Sequence, residues 1–431
     1  MEPFTFGILA VVIFLVLIFM GQRIAIAGAV AGLFALLGVF GWEGALILIR
    51  GHILSVTTRY GFTVVPMFLF MGLISFHAGL GDHIYAAAQR WVGRLHGGLA
   101  MATTLGCAVF GAITGSSTSA AIMFAKLAVP EMDKYNYDRG LSVGAVAASG
   151  TLATLIPPSV SIVIYGIITE QSIGKLLIAG LIPGIVSALV YCLMIYVRAR
   201  INPKLGPRGP AFSWRERFSS MKTLWPVMAI MIMVLGGLYV GVFTPTEAGA
   251  MGVFSTLVVV ALRRRLNWTM FKGSVLETAR LTSMAFLIIV GVQILMTSLV
   301  TTGITGWLVE SLMSVSTSPY LVLLMIIILF VVFGCFIGGI GMMLTTIPFV
   351  YPIVIAAGFD PIWFGIIVTK MVEIALITPP VGANVFVVAK VLNYPVEKAF
   401  KSVIPFFFMD LATTGLLILF PQIVLWLPNN M

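Results

Sequence analysis

Long apolar runs, interrupted by short polar segments, extend along the whole chain. A helix that crosses a bilayer needs about 20 mostly apolar residues. At that length the runs accommodate about ten to twelve helical segments, including segments that turn back inside the membrane. The first run, Phe4 to Met20, has no basic segment before it and no small-residue cleavage site after it, so it predicts a retained helix and not a signal peptide. The pattern predicts an all-α polytopic membrane protein.

Composition and charge argue against a soluble protein. Hydrophobic residues make up 60% of the 431 positions and charged residues 9%, whereas an ordinary soluble domain has about 25% charged residues. The net charge of +10 comes from basic residues beside the ends of apolar runs, which is typical of membrane proteins. The isolated cysteines Cys107, Cys192 and Cys335 have no metal-ligand spacing. We therefore expect no nucleic-acid partner and no cofactor.

Basic segments orient the predicted helices. Residues 198–222 contain seven Lys or Arg and one Glu, and residues 263–280 contain five and one Glu, so both segments are expected in the cytoplasm. Counting apolar runs toward the N-terminus places residues 90–96 and Arg23 on the same side. Both chain ends are then periplasmic, in a multi-pass protein of a bacterial inner membrane.

The chain contains an internal repeat. Pro157-Pro158 recurs 222 residues later as Pro379-Pro380. Upstream of these pairs, the segment Gly115 to Ser119 has a counterpart in Gly338 to Gly341, at an offset of 223. The 222-residue spacing also relates Pro130 to Pro352 and Asp138 to Asp360. Two halves of the chain therefore share one plan.

The two halves are predicted to face opposite sides of the membrane. Residues 81–98 are basic, whereas the equivalent residues 303–319 carry only Glu310, which indicates an inverted repeat. Each half reads as two spanning helices, an amphipathic stretch, a spanning helix, a re-entrant helical hairpin and a broken helix. The amphipathic stretches, residues 43–60 with Arg50 and Arg59 and residues 268–282 with Arg280, are expected to lie along the interface.

The double prolines predict the chemistry of the broken helices. A proline inside a helix deprives the carbonyl four residues earlier of its N–H donor. The carbonyls of Ala153, Thr154, Ala375 and Leu376 should therefore be free, and a free carbonyl in the membrane must line a cavity or bind a cation. A simple kink satisfied by hydroxyl side chains is the alternative, but two such breaks favour a functional site.

Each hairpin tip leads into a helix N-terminus, whose free N–H groups attract anions. The first tip adds the hydroxyls of Ser116 to Ser119, and the second adds the glycines at 338, 339 and 341, with Thr345 and Thr346 one turn further along. Close packing through small residues would explain any one glycine equally well. Thr378 and Asn384 flank the second break and offer further donors and acceptors.

Other polar residues are better explained by structure. Lys370 and Glu373, three positions apart, favour a local ion pair at least as well as a substrate role. For Lys126, a side chain that extends to the membrane interface is at least as good an explanation as a substrate role. Glu247 opens a helix of small residues, where a carboxylate complements the helix dipole.

Four motifs in this order resemble the large membrane subunit of tripartite ATP-independent periplasmic (TRAP) transporters over nearly the whole chain. They are Gly115-Ser-Ser-Thr-Ser-Ala120, Leu155-Ile-Pro-Pro-Ser159, Gly241-Val-Phe-Thr-Pro-Thr-Glu-Ala248 and Ile377-Thr-Pro-Pro-Val-Gly-Ala-Asn384. The resemblance implies a sodium-driven importer of carboxylates that works with a small membrane subunit and a periplasmic solute-binding protein. It also implies an elevator, in which residues 99–166 and 320–392 move. Residues 1–98 and 167–319 would form the scaffold with two interfacial arms, and residues 393–431 a C-terminal helix.

With that expectation, the polar groups divide into two predicted sets. The expected substrate-binding residues are Ser116, Thr118, Gly339, Thr345 and Asn384. The expected sodium ligands are Gly115, Ser117, Ser119, Ala153, Thr154, Gly338, Gly341, Ala375, Leu376 and Thr378.

Three other functions are weighed against this one. A channel would show rings of like side chains from several subunits, whereas an inverted repeat suits alternating access. An intramembrane hydrolase built on Ser116 to Ser119 would need a base within reach, and no histidine lies near the inferred site. A single-component carrier without a binding protein is the closest rival. C4-dicarboxylates, keto acids, sugar acids and sialic acids all fit the predicted substrate class.

Overall fold

The computed structural model describes residues 2–58, 60–315 and 318–431. In these ranges the chain is built of helices joined by short turns. Eight helices of the described part are long and apolar enough to cross a membrane, and a ninth counts if one bent pair forms a single span. This arrangement confirms the predicted all-α membrane fold.

In its described residues, the first half of the chain forms ten α-helices, with 3₁₀ turns at Tyr60–Thr63 and Leu152–Thr154. They are α1 (Pro3–Phe19), α2 (Ile24–Thr58), α3 (Val64–His77), α4 (Gly81–Val92), α5 (Gly98–Thr114), α6 (Ser117–Lys134), α7 (Arg139–Thr151), α8 (Val160–Ile168), α9 (Ile173–Ala179) and α10 (Leu181–Ile201).

The second half contributes twelve further helices in its described residues, and a π-helical stretch, Ile232–Gly236, joins the second of them to the third. They are α11 (Trp214–Thr223), α12 (Trp225–Met231), α13 (Gly237–Tyr239), α14 (Pro245–Leu262), α15 (Trp268–Thr301), α16 (Ile304–Val315), α17 (Pro319–Ile337), α18 (Gly339–Ala356), α19 (Pro361–Ile377), α20 (Ala383–Val391), α21 (Val396–Leu419) and α22 (Gln422–Asn429). A bend of 50° separates α11 from the helix that begins at Trp225.

The two predicted amphipathic arms are continuous with neighbouring helices. The first arm extends α2 beyond a single interruption at Gly41, where φ is 68° and ψ is −174°. The second arm, residues 268–282, runs without a break into the spanning part of α15, because no proline or glycine stands at that junction. Arg59, which the first arm was predicted to include, lies outside the described residues. The placement of the two arms along the membrane interface stays a prediction.

Small residues let the long helices α2 and α15 pack closely. A Cβ atom added at Gly28 would lie 2.8 Å from the carbonyl oxygen of Gly291, and one at Gly32 would lie 2.8 Å from that of Ile294. The contacts advance in the same direction along both helices, so α2 and α15 run parallel. Both helices therefore begin at the same end of the bundle.

Glu247 has the structural role that its position predicts. Thr244 donates its backbone N–H to Glu247 Oε2 over 2.8 Å, and its side chain accepts a hydrogen bond from the Glu247 N–H over 3.3 Å. This reciprocal pair is a capping box, which satisfies free donors at the start of α14.

Candidate functional site at the hairpin tips and helix breaks

The predicted hairpins and breaks are present in both halves. Helices α5 and α6 are joined by Gly115 and Ser116, and helices α17 and α18 by Gly338 alone. The break of the first half lies between α7 and α8, and that of the second lies between α19 and α20. The Pro157-Pro158 and Pro379-Pro380 peptide bonds are both cis.

The sequence repeat is also a repeat of contacts. A Cβ atom added at Gly111 on α5 would lie 2.7 Å from Ala153, and one at Gly334 on α17 would lie 2.8 Å from Ala375. The first helix of each hairpin therefore packs tightly against the helix break of its own half. Asp138 and Asp360, 222 residues apart, likewise cap equivalent helices by accepting the backbone N–H groups of Leu141 and Ile362, each over 2.8 Å.

In the first half, serine side chains satisfy the backbone at both the tip and the break. Ser116 Oγ accepts the Ser119 N–H over 3.3 Å and lies 3.0 Å from Ser119 Oγ. Ser159 caps α8 by accepting the Ile162 N–H over 3.4 Å. Its hydroxyl also donates to the carbonyl of Thr154. The prediction that the Thr154 carbonyl has no donor is therefore wrong, because a serine directly after the double proline supplies one.

In the second half, glycines occupy the N-cap positions of the equivalent helices. Gly338 precedes α18 and Gly382 precedes α20, and neither helix has a side-chain cap. Gly338 has a φ of 80° and Gly382 a φ of 29°, which L side chains adopt only with strain. The Val381 N–H donates to the Cys335 carbonyl over 3.2 Å, which holds this break against the end of α17.

Asn384 links the second break to the first half. Its side chain is fully buried, and its Nδ2 atom donates to the Ala147 carbonyl on α7 over 3.4 Å. Its Oδ1 atom is buried with no hydrogen-bond partner among the described residues. An unpartnered buried oxygen is costly, so this atom is a candidate ligand group.

The remaining predicted residues divide between the tips and another cavity. Ser117 is buried in the first turn of α6, while Thr118 and Ser119 are partly exposed beside it. Thr378 Oγ1 donates to the Ile374 carbonyl over 2.6 Å at the end of α19. Thr345 lines a different cavity. Its hydroxyl donates to the Gly341 carbonyl over 2.8 Å, and the residue lines an apolar cavity of about 450 Å³ beside α1 and Trp307.

Comparison with known proteins now decides the family. Residues 11–423 match the family described as the tripartite ATP-independent periplasmic transporter, DctM component. The chain belongs to this family. It is 34% identical over 381 residues to a C4-dicarboxylate TRAP transporter large permease protein, DctM, of Pseudomonas aeruginosa, an alignment that covers 87% of this chain and 88% of the relative. An ectoine TRAP transporter large permease protein, TeaC, of Halomonas elongata is 30% identical and aligns over 95% of this chain and 96% of its own.

Among solved structures, the crystal structure of the Alcanivorax borkumensis YdaH transporter shares the fold of this TRAP permease. The TM-score is 0.58 at 13% sequence identity, and the match covers 89% of this chain and 90% of the other. The relatives are transporter permeases, which confirms the prediction of a transport protein and not an enzyme.

The permease also contains a buried ion cluster that the sequence only partly predicted. Lys370 Nζ lies 2.5 Å from Glu373 Oε2 and 2.6 Å from Asp410 Oδ1, and all three side chains are fully buried. Tyr191 on α10 donates its hydroxyl to Asp410 Oδ2 over 2.5 Å. The expected local pair of Lys370 and Glu373 is confirmed. Asp410 was missed, although an acidic residue inside the apolar run of α21 was a usable signal.

Proposed function

We propose that this permease imports a small carboxylate together with sodium, as the large membrane subunit of a three-part transporter. The observation that carries the proposal is the second break. Two uncapped helix N-termini, those of α18 and α20, approach each other there, because Val381 Cγ1 would lie 3.7 Å from a Cβ atom at Gly338. The partnerless Oδ1 of Asn384 belongs to the first turn of α20.

The uncapped N-termini suit an anionic substrate. Free N–H groups and the positive end of the helix dipole attract a carboxylate without a basic side chain. Glycine at the tip lets the backbone approach the ligand. The Oδ1 atom of Asn384, whose amide nitrogen already donates to Ala147, can accept a hydrogen bond from a hydroxyl or amine group of the substrate beside its carboxylate. The Pseudomonas aeruginosa relative is named for C4-dicarboxylates, which supports a carboxylate as the substrate class. At the two tips, the site would be lined by Ser116, Thr118 and Gly339. Thr345 would contribute from α18, beyond the second tip.

Sodium ions would bind to the oxygen-rich groups at the two breaks. Backbone carbonyls and hydroxyls are hard oxygen donors, which suit hard cations. In the first half the proposed ligands are Gly115, Ser117, Ser119, Ala153 and Thr154, and the Thr154 carbonyl keeps a second lone pair beside the Ser159 hydroxyl. In the second half they are Gly338, Gly341, Ala375, Leu376 and Thr378. An occupied sodium site would hold the tip closed on its break and position the N-termini for the carboxylate.

The two hairpins and two broken helices would move as one elevator unit against the scaffold. The Asn384–Ala147 hydrogen bond joins the halves. The ion cluster ties α10 and α21 to α19 through Tyr191 and Asp410. A buried pair would be costly to break at each transport step. We therefore extend the proposed moving unit beyond residues 99–166 and 320–392 to include α10 and α21.

A small membrane subunit and a periplasmic solute-binding protein would complete the transporter, consistent with the tripartite family. The permease would lie in the inner membrane, surrounded by lipid, with both chain ends in the periplasm. Proteoliposomes that hold this chain alone should take up solute far more slowly than those that hold all three parts. Equal rates would favour a single-component carrier.

The sodium assignment can be tested with one oxygen atom in each half. Replacing Ser117 or Thr378 by alanine removes one hydroxyl ligand, so the sodium concentration for half-maximal uptake should rise several-fold, for a loss of about 1 kcal/mol. Thr369→Ala is a matched control, because Thr369 is buried on α19 and also donates to its own helix, at the Gly365 carbonyl over 2.8 Å. Unchanged half-saturation in both test variants, at normal protein levels, would contradict this placement.

A further inference from the structure

A second polar feature lies at the end of the bundle where α2 and α15 begin. A cavity of about 760 Å³ is bounded there by the turn between α1 and α2, by α15 and by the last residues of α17. Arg23 and Arg280 both line it. Because α2 and α15 run parallel, the start of α2 lies beside Leu287 and Ile288 of α15. Arg280 lies two turns before Leu287 on α15, toward the same end of the bundle.

The two guanidinium groups have no acidic partner in the described part of the chain. Both residues are exposed, and none of the ion pairs between described residues includes either of them. Glu277, one turn before Arg280, lies 3.7 Å from His77 Nε2 instead. Two unneutralised guanidinium groups at one cavity favour an anion, and a planar guanidinium matches the geometry of phosphate oxygens.

The walls of the cavity indicate what kind of anion it holds. Apart from Gln22, Ser283 and the two arginines, the lining is glycine or apolar, and it includes Met284, Leu287 and Phe336. These three side chains are each more than half exposed, at 59%, 65% and 57%. A soluble dicarboxylate would gain nothing from such walls. A phospholipid matches both parts, because its phosphate suits the arginines and its acyl chains suit the apolar wall.

We propose that this cavity binds an anionic phospholipid, with the phosphate between Arg23 and Arg280 and the acyl chains along α15 and α17. In the orientation predicted from the basic segments, the arginines lie at the cytoplasmic leaflet, where anionic lipids attract such residues. The volume lies within the usual range of small-ligand pockets, about 300–1,000 Å³. It accommodates a headgroup and the first part of the chains.

The position of the lipid also gives it a regulatory role, a step that rests on the proposed elevator. Phe336 and Ile337 directly precede the tip residue Gly338, while a Cβ atom at Gly341 would lie 2.6 Å from Ile24 of α2. The lipid therefore contacts the fixed helices and the mobile hairpin together. Movement of hairpin α17–α18 would change this contact, so the bound lipid sets the rate of that movement.

Binding can be measured without transport. The full-length permease in detergent is equilibrated with phosphatidylglycerol, and retained lipid is counted by native mass spectrometry. R23Q/R280Q should weaken retention by about tenfold or more, as expected when charge-assisted hydrogen bonds are lost, and R23K/R280K should keep part of it. Arg208→Gln and Arg215→Gln, which remove basic residues elsewhere, are the controls. Equal retention by the wild type and R23Q/R280Q would overturn the proposal.

Two further experiments distinguish a bound lipid from a soluble anion. Leu287→Ser should weaken phosphatidylglycerol retention, and excess glycerol 3-phosphate should not displace the lipid, because the apolar wall contributes to binding. If thermal stabilisation by succinate is lost in R23Q/R280Q while lipid retention is unchanged, the cavity belongs to a soluble carboxylate and the lipid proposal is wrong.

The regulatory step has its own readout. Uptake by the wild type should depend on the phosphatidylglycerol content of phosphatidylcholine liposomes, and uptake by R23Q/R280Q should not. The same dependence in both proteins would overturn the regulatory step. The sodium half-saturation of Thr378→Ala tests the proposed transport function separately.

Discussion

The two halves of this permease share the same order of hairpin tips and helix breaks, but different residues stand at the starts of the helices that follow them. In the first half, Ser116 and Ser159 cap the helices that follow the tip and the break. In the second half, Gly338 and Gly382 stand at those places, and the helices α18 and α20 have no side-chain cap. A repeat can therefore preserve the backbone geometry of a break while one copy caps its N–H groups with side chains and the other leaves them uncapped.

The helices α7 and α19 show a second contrast. Ala148 and Thr151 occupy the positions on α7 that Lys370 and Glu373 occupy on α19, 222 residues later. The charged pair is balanced by Asp410 from α21. Among the described residues, buried charges therefore occur on α19 and α21 but not at the equivalent positions of α7.

The largest expected effect comes from removing the lysine of the ion cluster. Lys370→Met leaves two carboxyl groups buried without a cation, so the free energy of unfolding should fall by about 3–5 kcal/mol. Thermal unfolding in detergent measures this loss, and Lys175→Met, at an exposed lysine, is the control. The neutral triple variant K370M/E373Q/D410N should recover much of the stability. Unfolding of Lys370→Met at the wild-type temperature would show that the cluster contributes little.

A smaller effect should distinguish the two hairpin tips. Gly115 has a φ of 57°, and a Cβ atom there would lie 2.4 Å from the Pro158 carbonyl oxygen. The free energy of unfolding of Gly115→Ala should therefore fall by about 1–3 kcal/mol through overpacking, in addition to the effect of backbone strain. Gly338→Ala should show backbone strain alone, because a Cβ atom there would lie 3.7 Å from Val381 Cγ1, an ordinary van der Waals contact. Gly358→Ala, with a φ of 82° and open space around it, calibrates that strain in the same unfolding assay. Equal losses for Gly115→Ala and Gly338→Ala would mean that the first tip is no more tightly packed than the second.

The smallest effect concerns the serine cap of the first break. Ser159→Ala removes the acceptor for the Ile162 N–H and the donor to the Thr154 carbonyl, so it should cost about 1 kcal/mol. Ser161→Ala, at a buried serine on the same helix, serves as the control in thermal unfolding. If both variants lose the same amount, the contrast between a capped and an uncapped break is not an energetic one.

Much of the fold could be predicted because its signals are local and repeated. Apolar runs predict spanning helices, and the double prolines and glycine-rich tips predict breaks and turns wherever they occur. Asp138 and Asp360 cap equivalent helices at the predicted 222-residue spacing, and the structural role of Glu247 is predictable because its capping contacts span only four residues. The arms were less predictable, since the absence of a helix breaker near residue 282 let α15 continue.

The candidate site depended on how the chain folds at the breaks and on which helices pack together. Ser159 reaches the Thr154 carbonyl only because the backbone folds back at the break. Thr345 looks like a tip residue by its spacing, yet its helix turns it toward the apolar cavity beside α1. Asp410 pairs with Lys370 across 40 residues, and Asn384 reaches Ala147 across 237.

The sequence by itself determined the membrane class, the repeat, and the positions of the hairpins and breaks, because each depends on hydrophobicity or on backbone restrictions within a few residues. Only the tertiary structure decided which buried polar groups have hydrogen-bond partners and which do not. That outcome depends on which helices pack together, and a buried oxygen such as Asn384 Oδ1 gains or lacks a partner only when those helices meet.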